Sequence, residues 1–272
     1  MAWAAVCGAL AGCMLAFPGP AREAAFHGLS LWARSVAPAL GPFMACMLML
    51  SSRIGGGLWP RVAMGWLCGS PGGAKLMQSA APEGRCALRC AALTGTMSPM
   101  FFLGTVEGWL GRGAGGVILG CHLLGALLTG LCVPADMRAG AAPAAPLSLT
   151  AALRQCAGAL ALIALCMMLG CVAARMAACA LPFLPQAGTA ALQCALEVTA
   201  GVEAVIGLRP ALTAPLVCAA CSFGGLSLLM QNAAFWQERG VGIGQLMLLR
   251  LLHALLSFGL CLAAGALTGM LY

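Results

Sequence analysis

The sequence predicts an all-α, polytopic integral membrane protein made of two repeat-like halves with broken or re-entrant helices. Three observations carry that expectation. Of the 272 residues, 62% are hydrophobic and 8% charged, whereas soluble globular chains run at about 45–50% and about 25%. So few charges could not cover a surface in water. The apolar residues gather in long runs, not in the short alternating segments of a membrane β-barrel. A helix crosses a bilayer with roughly 20 mainly apolar residues, and in lipid it pairs its own backbone internally.

The first span is expected over 2–17, ending at Pro18-Gly19-Pro20. It lacks the basic start of a cleaved signal peptide, which favours a retained span. An amphipathic stretch follows over 21–40, with Arg22, Glu23, His27, Trp32 and Arg34. Pro38 and Pro42 interrupt the passage into the next apolar run, so a broken helix is expected there. Gly55–Gly57 marks a loop, and 58–68 is apolar but too short to span. After the Gly/Pro-rich segment 69–75 and a charged stretch at Glu83, Arg85 and Arg89, the run 90–110 carries Ser98-Pro99 in its middle. Residues 113–133 form a clearer span whose only ionisable group is His122.

Residues 134–150 read as a Pro/Ala linker. They divide the chain into a first membrane half, 1–133, and a second, 151–272. In the second half, 151–181 is a long apolar run stopped by Pro182 and Pro185. Residues 191–208 carry Glu197 and Glu203, 211–235 contains Ser222-Phe-Gly-Gly-Leu-Ser227, and 240–271 carries Arg250 and His253. Arg250 and His253 read as lying near a helix end. A linker facing the cytoplasm would put Arg138 and Arg154 on the positive-inside face and Arg112 across the membrane.

Charge and cysteine content exclude several function classes. The net charge of +7 comes from 14 basic and 7 acidic residues. The basic residues are scattered singly, which argues against nucleic acid as a partner. The 16 cysteines lie mostly inside apolar runs, where Cys packs as a small hydrophobe. Cys218/Cys221 and Cys86/Cys90 lack a second ligand pair nearby, so no metal site is expected. The three histidines are too dispersed in sequence for a catalytic set. There is no nucleotide-binding or zinc-protease fingerprint and no evident hydrolase pattern. No cofactor and no enzyme activity are expected.

The informative segments are the interruptions. Ser70-Pro-Gly-Gly-Ala-Lys75 and the segment from Ser222 to Gln231 share a Ser-x-Gly-Gly core, one copy in each half. Paired glycines permit unwound backbone, which membrane depth tolerates where it lines a cavity. Interrupted segments in the two halves are the best sequence pointer to a transporter-type site. Ser70, Gly72, Gly73 and Lys75 are the candidates from the first copy, and Ser222, Gly224, Gly225, Ser227 and Gln231 from the second. The competing readings are a surface loop with Lys75 snorkelling, and small-residue helix packing around Gly224. Glu197, with Thr199 beside it, is an ionisable group inside an apolar run and hence a functional candidate; an interfacial position is its competitor. Glu107 and Glu203 read as closer to span ends.

In family order the chain carries Gly28-Leu-Ser-Leu-Trp32 through Val36-Ala-Pro38 and Pro42-Phe43, then Gly69-Ser-Pro-Gly-Gly-Ala-Lys75, then Ser98-Pro-Met-Phe-Phe-Leu-Gly104. Leu196-Glu-Val-Thr-Ala-Gly201, Phe223-Gly-Gly-Leu-Ser227 to Gln231, and Arg250-Leu-Leu-His253 follow. On these segments it resembles the YlbJ-type sporulation integral membrane proteins of the nucleoside-recognition, or gate-domain, group. The resemblance implies a multi-pass protein of the bacterial inner membrane, needed for spore formation and connected with the cortex. It adds Ser98 to the candidate ligand-binding residues. A transporter-like function is expected, with the lipid bilayer and a small polar solute as partners. The alternatives are a non-transporting scaffold that binds sporulation membrane proteins or its own copies, and a membrane enzyme on a lipid-linked precursor using Glu107, Glu197 and Glu203.

Overall fold

The computed structural model describes residues 2–51, 53, 57–78, 83–111, 113–137, 147–208 and 212–268. These are helical throughout apart from turns and short extended pieces. In chain order the helices are α1 (Ala2–Ala16), α2 (Pro18–Leu31), α3 (Ala37–Ser51), α4 (Leu58–Cys68), α5 (Gly72–Gln78), α6 (Arg85–Thr94), α7 (Glu107–Leu110), α8 (Ala114–Leu131), α9 (Leu149–Ala180), α10 (Gln186–Leu196), α11 (Val198–Leu208), α12 (Thr213–Phe223), α13 (Gly225–Trp236) and α14 (Ile243–Thr268). Among the described residues, five stretches are long and apolar enough to cross a membrane: Pro18–Leu50, Ala114–Leu131, Leu149–Ala180, Thr213–Arg239 and Ile243–Leu267. The chain is a polytopic helical membrane protein. α1, expected as the first span, has 15 residues and is shorter than a span requires.

The prolines act differently from the expectation. Pro38 and Pro42 do not break the helix, which stays continuous from Pro18 to Leu50. A π-helical turn over Trp32–Val36 joins α2 to α3. It holds Arg34, the residue whose carbonyl Pro38 would crowd in a regular helix, and the wider turn relieves that conflict. A second π segment, Phe101–Val106, follows Pro99 and leads into α7.

The real interruptions lie elsewhere. α6 stops at Thr94, and residues 95–98 are non-helical before the chain turns helical again into the second π segment. The expected run 191–208 is not one marginal span. It belongs to two 11-residue helices, α10 and α11, separated by the extended Glu197. Glu203 and Gln193 both lie near His27 and its surroundings, so the chain doubles back at Glu197. Gly201 has no side chain to collide with the Cys194 backbone opposite. α4 and α5 also double back, around a cis Ser70–Pro71 bond. Leu58 at the start of α4 clusters with Met77 at the end of α5. A Cβ on Gly73 would lie 2.8 Å from the Gly65 carbonyl oxygen.

α12 and α13 instead form one kinked span, bent at Gly224, whose φ is +81°. The two Ser-x-Gly-Gly segments that match in sequence therefore break the chain in different ways. One makes a reversal and the other a kink.

The long elements pair antiparallel. Gly28 lies against the Met167 backbone, while Cys156 Sγ donates to the Gly41 carbonyl at 3.3 Å. Rising numbers along α2–α3 thus meet falling numbers along α9. In α8 and α14, Leu127 clusters with Leu246 and Leu249 at one end, and Ile118 and Cys121 cluster with Cys261 at the other. Cys218 and Cys221 lie inside the apolar core with them.

Of the expected linker 134–150, residues 138–146 lie outside the described residues. So do Gly55, Gly56, Ser79–Pro82, and Arg112 and Arg138, on which the sequence argument for topology turns. At the far side of the linker, Ser148 caps α9 by accepting the Ala151 N–H at 3.2 Å.

Candidate functional site

The interruptions meet. The turn between α4 and α5 packs on the non-helical segment after α6: the Ser70 N–H donates to the Thr96 carbonyl at 2.7 Å. A Cβ on Gly69 would lie 2.8 Å from the Ser98 Cβ, and Gly69 has φ +66°. In the same manner the Gly224 kink packs on the turn between α10 and α11. A Cβ on Gly225 would lie 3.1 Å from the Cys194 carbonyl oxygen and 3.2 Å from the Val198 nitrogen.

Between these two junctions lies a cavity of about 40 Å³. Its polar lining is Ser70, Ser98, Glu197, Thr199, Ser227 and Gln231, and its apolar lining includes Val36, Leu40, Phe101, Ile163 and Met167. Six of the residues singled out in the sequence thus face one space, although they come from separate interruptions. Glu197 is buried inside the bundle, at 1% exposure.

Each polar group has a local reason for its position. Glu197 precedes the first turn of α11, and its Oε2 accepts the Ala200 N–H at 2.7 Å, satisfying a donor that the helix start leaves open. Gly170 of α9 makes room for it: a Cβ there would lie 2.7 Å from the Glu197 Cβ. Ser98 Oγ accepts the Met100 N–H at 3.1 Å. Among the described residues, Ser70 Oγ and Gln231 Oε1 are buried without a hydrogen-bond partner, and both residues line the cavity.

The other candidates fall outside this cavity. Gly72 and Lys75 line a second cavity, of about 250 Å³, with Gln155 and Phe235. Gly73 serves the close approach of α4 and α5, and Gly224 and Gly225 serve the kink. Ser222 is fully buried and belongs to a polar layer next to the site.

That layer is what sequence reasoning missed. His122 and His253 are not dispersed in space: their rings lie against each other at 4.7 Å between centroids, tilted by 35°. His122 Nε2 accepts the Met97 N–H at 3.0 Å. The neutral ring therefore carries its proton on Nδ1 and donates it to Ser222 Oγ at 2.8 Å. His253 Nε2 donates to the His122 carbonyl at 2.8 Å. Arg250 is not at a helix end. It lies in the buried part of α14 and binds the Ala91 carbonyl at 3.1 Å and the Gly95 carbonyl. These are carbonyls that the end of α6 leaves open. The one available signal was that ionisable residues inside a span are functional or structural commitments. Sequence separations of more than a hundred residues hid which of them were partners.

The remaining acids are engaged elsewhere. Glu107 accepts the N–H groups of Gly113 and Gly115, both at 2.8 Å, and so caps α8. Glu203 contacts His27 Nε2 at 3.2 Å.

No protein-family model, curated protein or solved structure matches this chain.

Proposed function

We propose that the chain is a transporter-like membrane protein whose central cavity binds a small polar solute or ion. One observation carries the reading: the interruptions of the helices converge on one space and leave Ser70 Oγ and Gln231 Oε1 buried there without partners among the described residues. Uninterrupted spans would serve equally well as an anchor. Interruptions cost backbone hydrogen bonds and are tolerated at membrane depth where they line a cavity.

Size narrows the ligand. A cavity needs about 10–15 Å³ of such free space to hold one water, and a pocket for a drug-sized molecule runs to about 300–1,000 Å³. At about 40 Å³ the cavity in this conformation suits a dehydrated ion or a few waters. A nucleoside would need the hairpin turns to move apart.

In this reading the hairpins α4–α5 and α10–α11 are re-entrant elements of two repeat-like halves. The first half is α2–α3, α4–α5, α6–α7 and α8; the second is α9, α10–α11, α12–α13 and α14. Antiparallel pairing of α2–α3 with α9 and of α8 with α14 supports an inverted relation between them. The paired elements are then the two hairpins and the two interrupted spans, not the two Ser-x-Gly-Gly segments. The resemblance to the sporulation membrane proteins adds the setting: the bacterial inner membrane of a spore-former, with a role in the cortex.

The test is reconstitution into liposomes with a panel of inorganic ions and nucleosides. Replacing Ser70→Ala and Gln231→Leu removes both unpartnered polar atoms. Flux of the responding solute is expected to fall at least tenfold with the protein still monodisperse. Unchanged flux would count against the site. In a spore-forming host, full rescue of a deletion by the same double variant would favour a scaffold instead.

A further inference from the structure

We infer that the central cavity is the middle of a single path across the membrane, walled along its whole length by the facing sides of α2–α3 and α9, with its inner mouth at Lys75 and its outer mouth at Arg175. The inference rests on reading the central cavity as a solute site.

A third cavity, of about 320 Å³, is lined by Glu23, His27, Cys171, Arg175, Thr189 and Gln193. Along α9, Gln155 to Leu162 line the 250 Å³ cavity, Ile163 and Met167 the central one, and Cys171 to Ala178 the third. Along α2–α3 the order runs the other way: Leu48 and Met44, then Leu40 and Val36, then His27 and Glu23. Two antiparallel helices therefore meet the same three cavities in the same spatial order. From Gln155 to Arg175 the helix rises roughly 30 Å at ~1.5 Å per residue, close to the roughly 30 Å hydrocarbon thickness of a bilayer.

The hairpin turns are the partitions. Ser70 lines the central cavity and the next residue, Pro71, lines the 250 Å³ one. Glu197 lines the central cavity, and Gln193, one turn earlier in α10, lines the third. One hairpin enters from each side, so displacing one turn opens the centre to one face only.

Charge assigns the faces. Arg53, Arg61, Lys75, Arg85, Arg89 and Arg154 lie at the end of the bundle that holds the 250 Å³ cavity, where the start of α4 and the end of α5 cluster with the start of α6. Among the described residues, Arg22 and Arg175 lie at the other end. Cytoplasmic loops carry the excess of Lys and Arg, so the Lys75 mouth faces the cytoplasm. The outer mouth is the polar one, with Glu23 and Arg175 in it and the His27–Glu203 contact at its edge.

The experiment adds single cysteines to the full chain: Gln155→Cys and Lys75→Cys for the inner mouth, Thr189→Cys and Gln193→Cys for the outer. Leu165→Cys and Leu169→Cys, on the outward face of α9 at 56% and 52% exposure, are lipid-facing controls. A charged, membrane-impermeant methanethiosulfonate is applied to spheroplasts or to inverted vesicles. Gain of one adduct over the parent chain, read by intact mass, corrects for the native cysteines. Thr189→Cys and Gln193→Cys should gain an adduct from outside at least tenfold faster than from inside. Gln155→Cys and Lys75→Cys should show the reverse, and both controls should stay unlabelled from either face. Labelling of both mouths from one face, or at the rate of the controls, overturns the path. Gly158→Cys and Ala178→Cys replace any variant that does not run as a single species in detergent. The outcome is separate from that of the flux test. Correct labelling with flux insensitive to Ser70 and Gln231 keeps the path and removes the central site, and the converse removes the path alone.

Discussion

The guanidinium of Arg250 occupies the space that a side chain on Gly95 would fill. Its two terminal nitrogens bind the Gly95 and Ala91 carbonyls, so a residue of α14 closes the end of α6 deep inside the bundle. Lys cannot present the same planar fork. Removing the guanidinium leaves buried acceptors unpaired, at ~1–3 kcal/mol each. Melting temperature in detergent should fall in the order wild type, Arg250→Lys, Arg250→Met. Gly95→Ala should be at least as damaging as Arg250→Met.

His122 and Ser222 form a second such unit. Ser222→Ala leaves the Nδ1–H of His122 buried and unpaired, and His122→Leu leaves the Met97 N–H without its acceptor. Each should lower stability by ~1–3 kcal/mol. The double variant should cost less than the sum, by a coupling of ~0.5–3 kcal/mol. Chemical denaturation of the four proteins in one detergent measures the cycle, and strict additivity would show that the hydrogen bond carries no stability.

Glu197 is both a cap and a cavity wall, and two substitutions separate these roles. Gln keeps an acceptor for the Ala200 N–H, whereas Ala removes it at ~0.5–2 kcal/mol. Glu197→Gln should melt within a few degrees of wild type, and Glu197→Ala clearly below it. A Gln variant that melts as low as the Ala variant would show that the charge, and not the cap, holds the turn.

Neighbouring glycines in α8 should respond oppositely. A Cβ on Gly115 would run into the Phe102 carbonyl and the Glu107 side chain, whereas one on Gly116 meets nothing within 4 Å. Gly115→Ala should destabilise by ~1–3 kcal/mol through overpacking. Gly116→Ala should stay within ~0.5 kcal/mol of wild type. Parallel thermal melts of the two variants read the difference.

Gly225 combines φ +68° with contact against the α10–α11 turn. An L-residue in the left-handed region costs ~1–2 kcal/mol. Gly225→Ala should therefore lower both melting temperature and any solute flux, because it pushes on the turn that walls the cavity. Normal flux in a stable Gly225→Ala protein would separate the kink from the site.

The sequence by itself determined the solvent of this protein and most of its helices. A chain with 62% apolar residues and 8% charges has no way to fold in water, and its long apolar runs pair their backbone only as helices. It also marked Ser70, Glu197, Thr199, Ser227 and Gln231, because polar groups and paired glycines inside apolar runs stand out against a uniform background, while Ser98 came from the family resemblance. What it could not decide was geometry at the interruptions. Pro38 beside a π turn keeps a helix running, whereas Glu197, an ordinary residue in an apolar run, sits where the chain reverses. Local composition does not distinguish these outcomes; packing against Gly170 and Gly225 does. Only the tertiary structure brought His122 to His253 and Arg250 to Gly95. Long-range partners are chosen by the three-dimensional match of unsatisfied donors and acceptors, and that match leaves no spacing in the sequence to read.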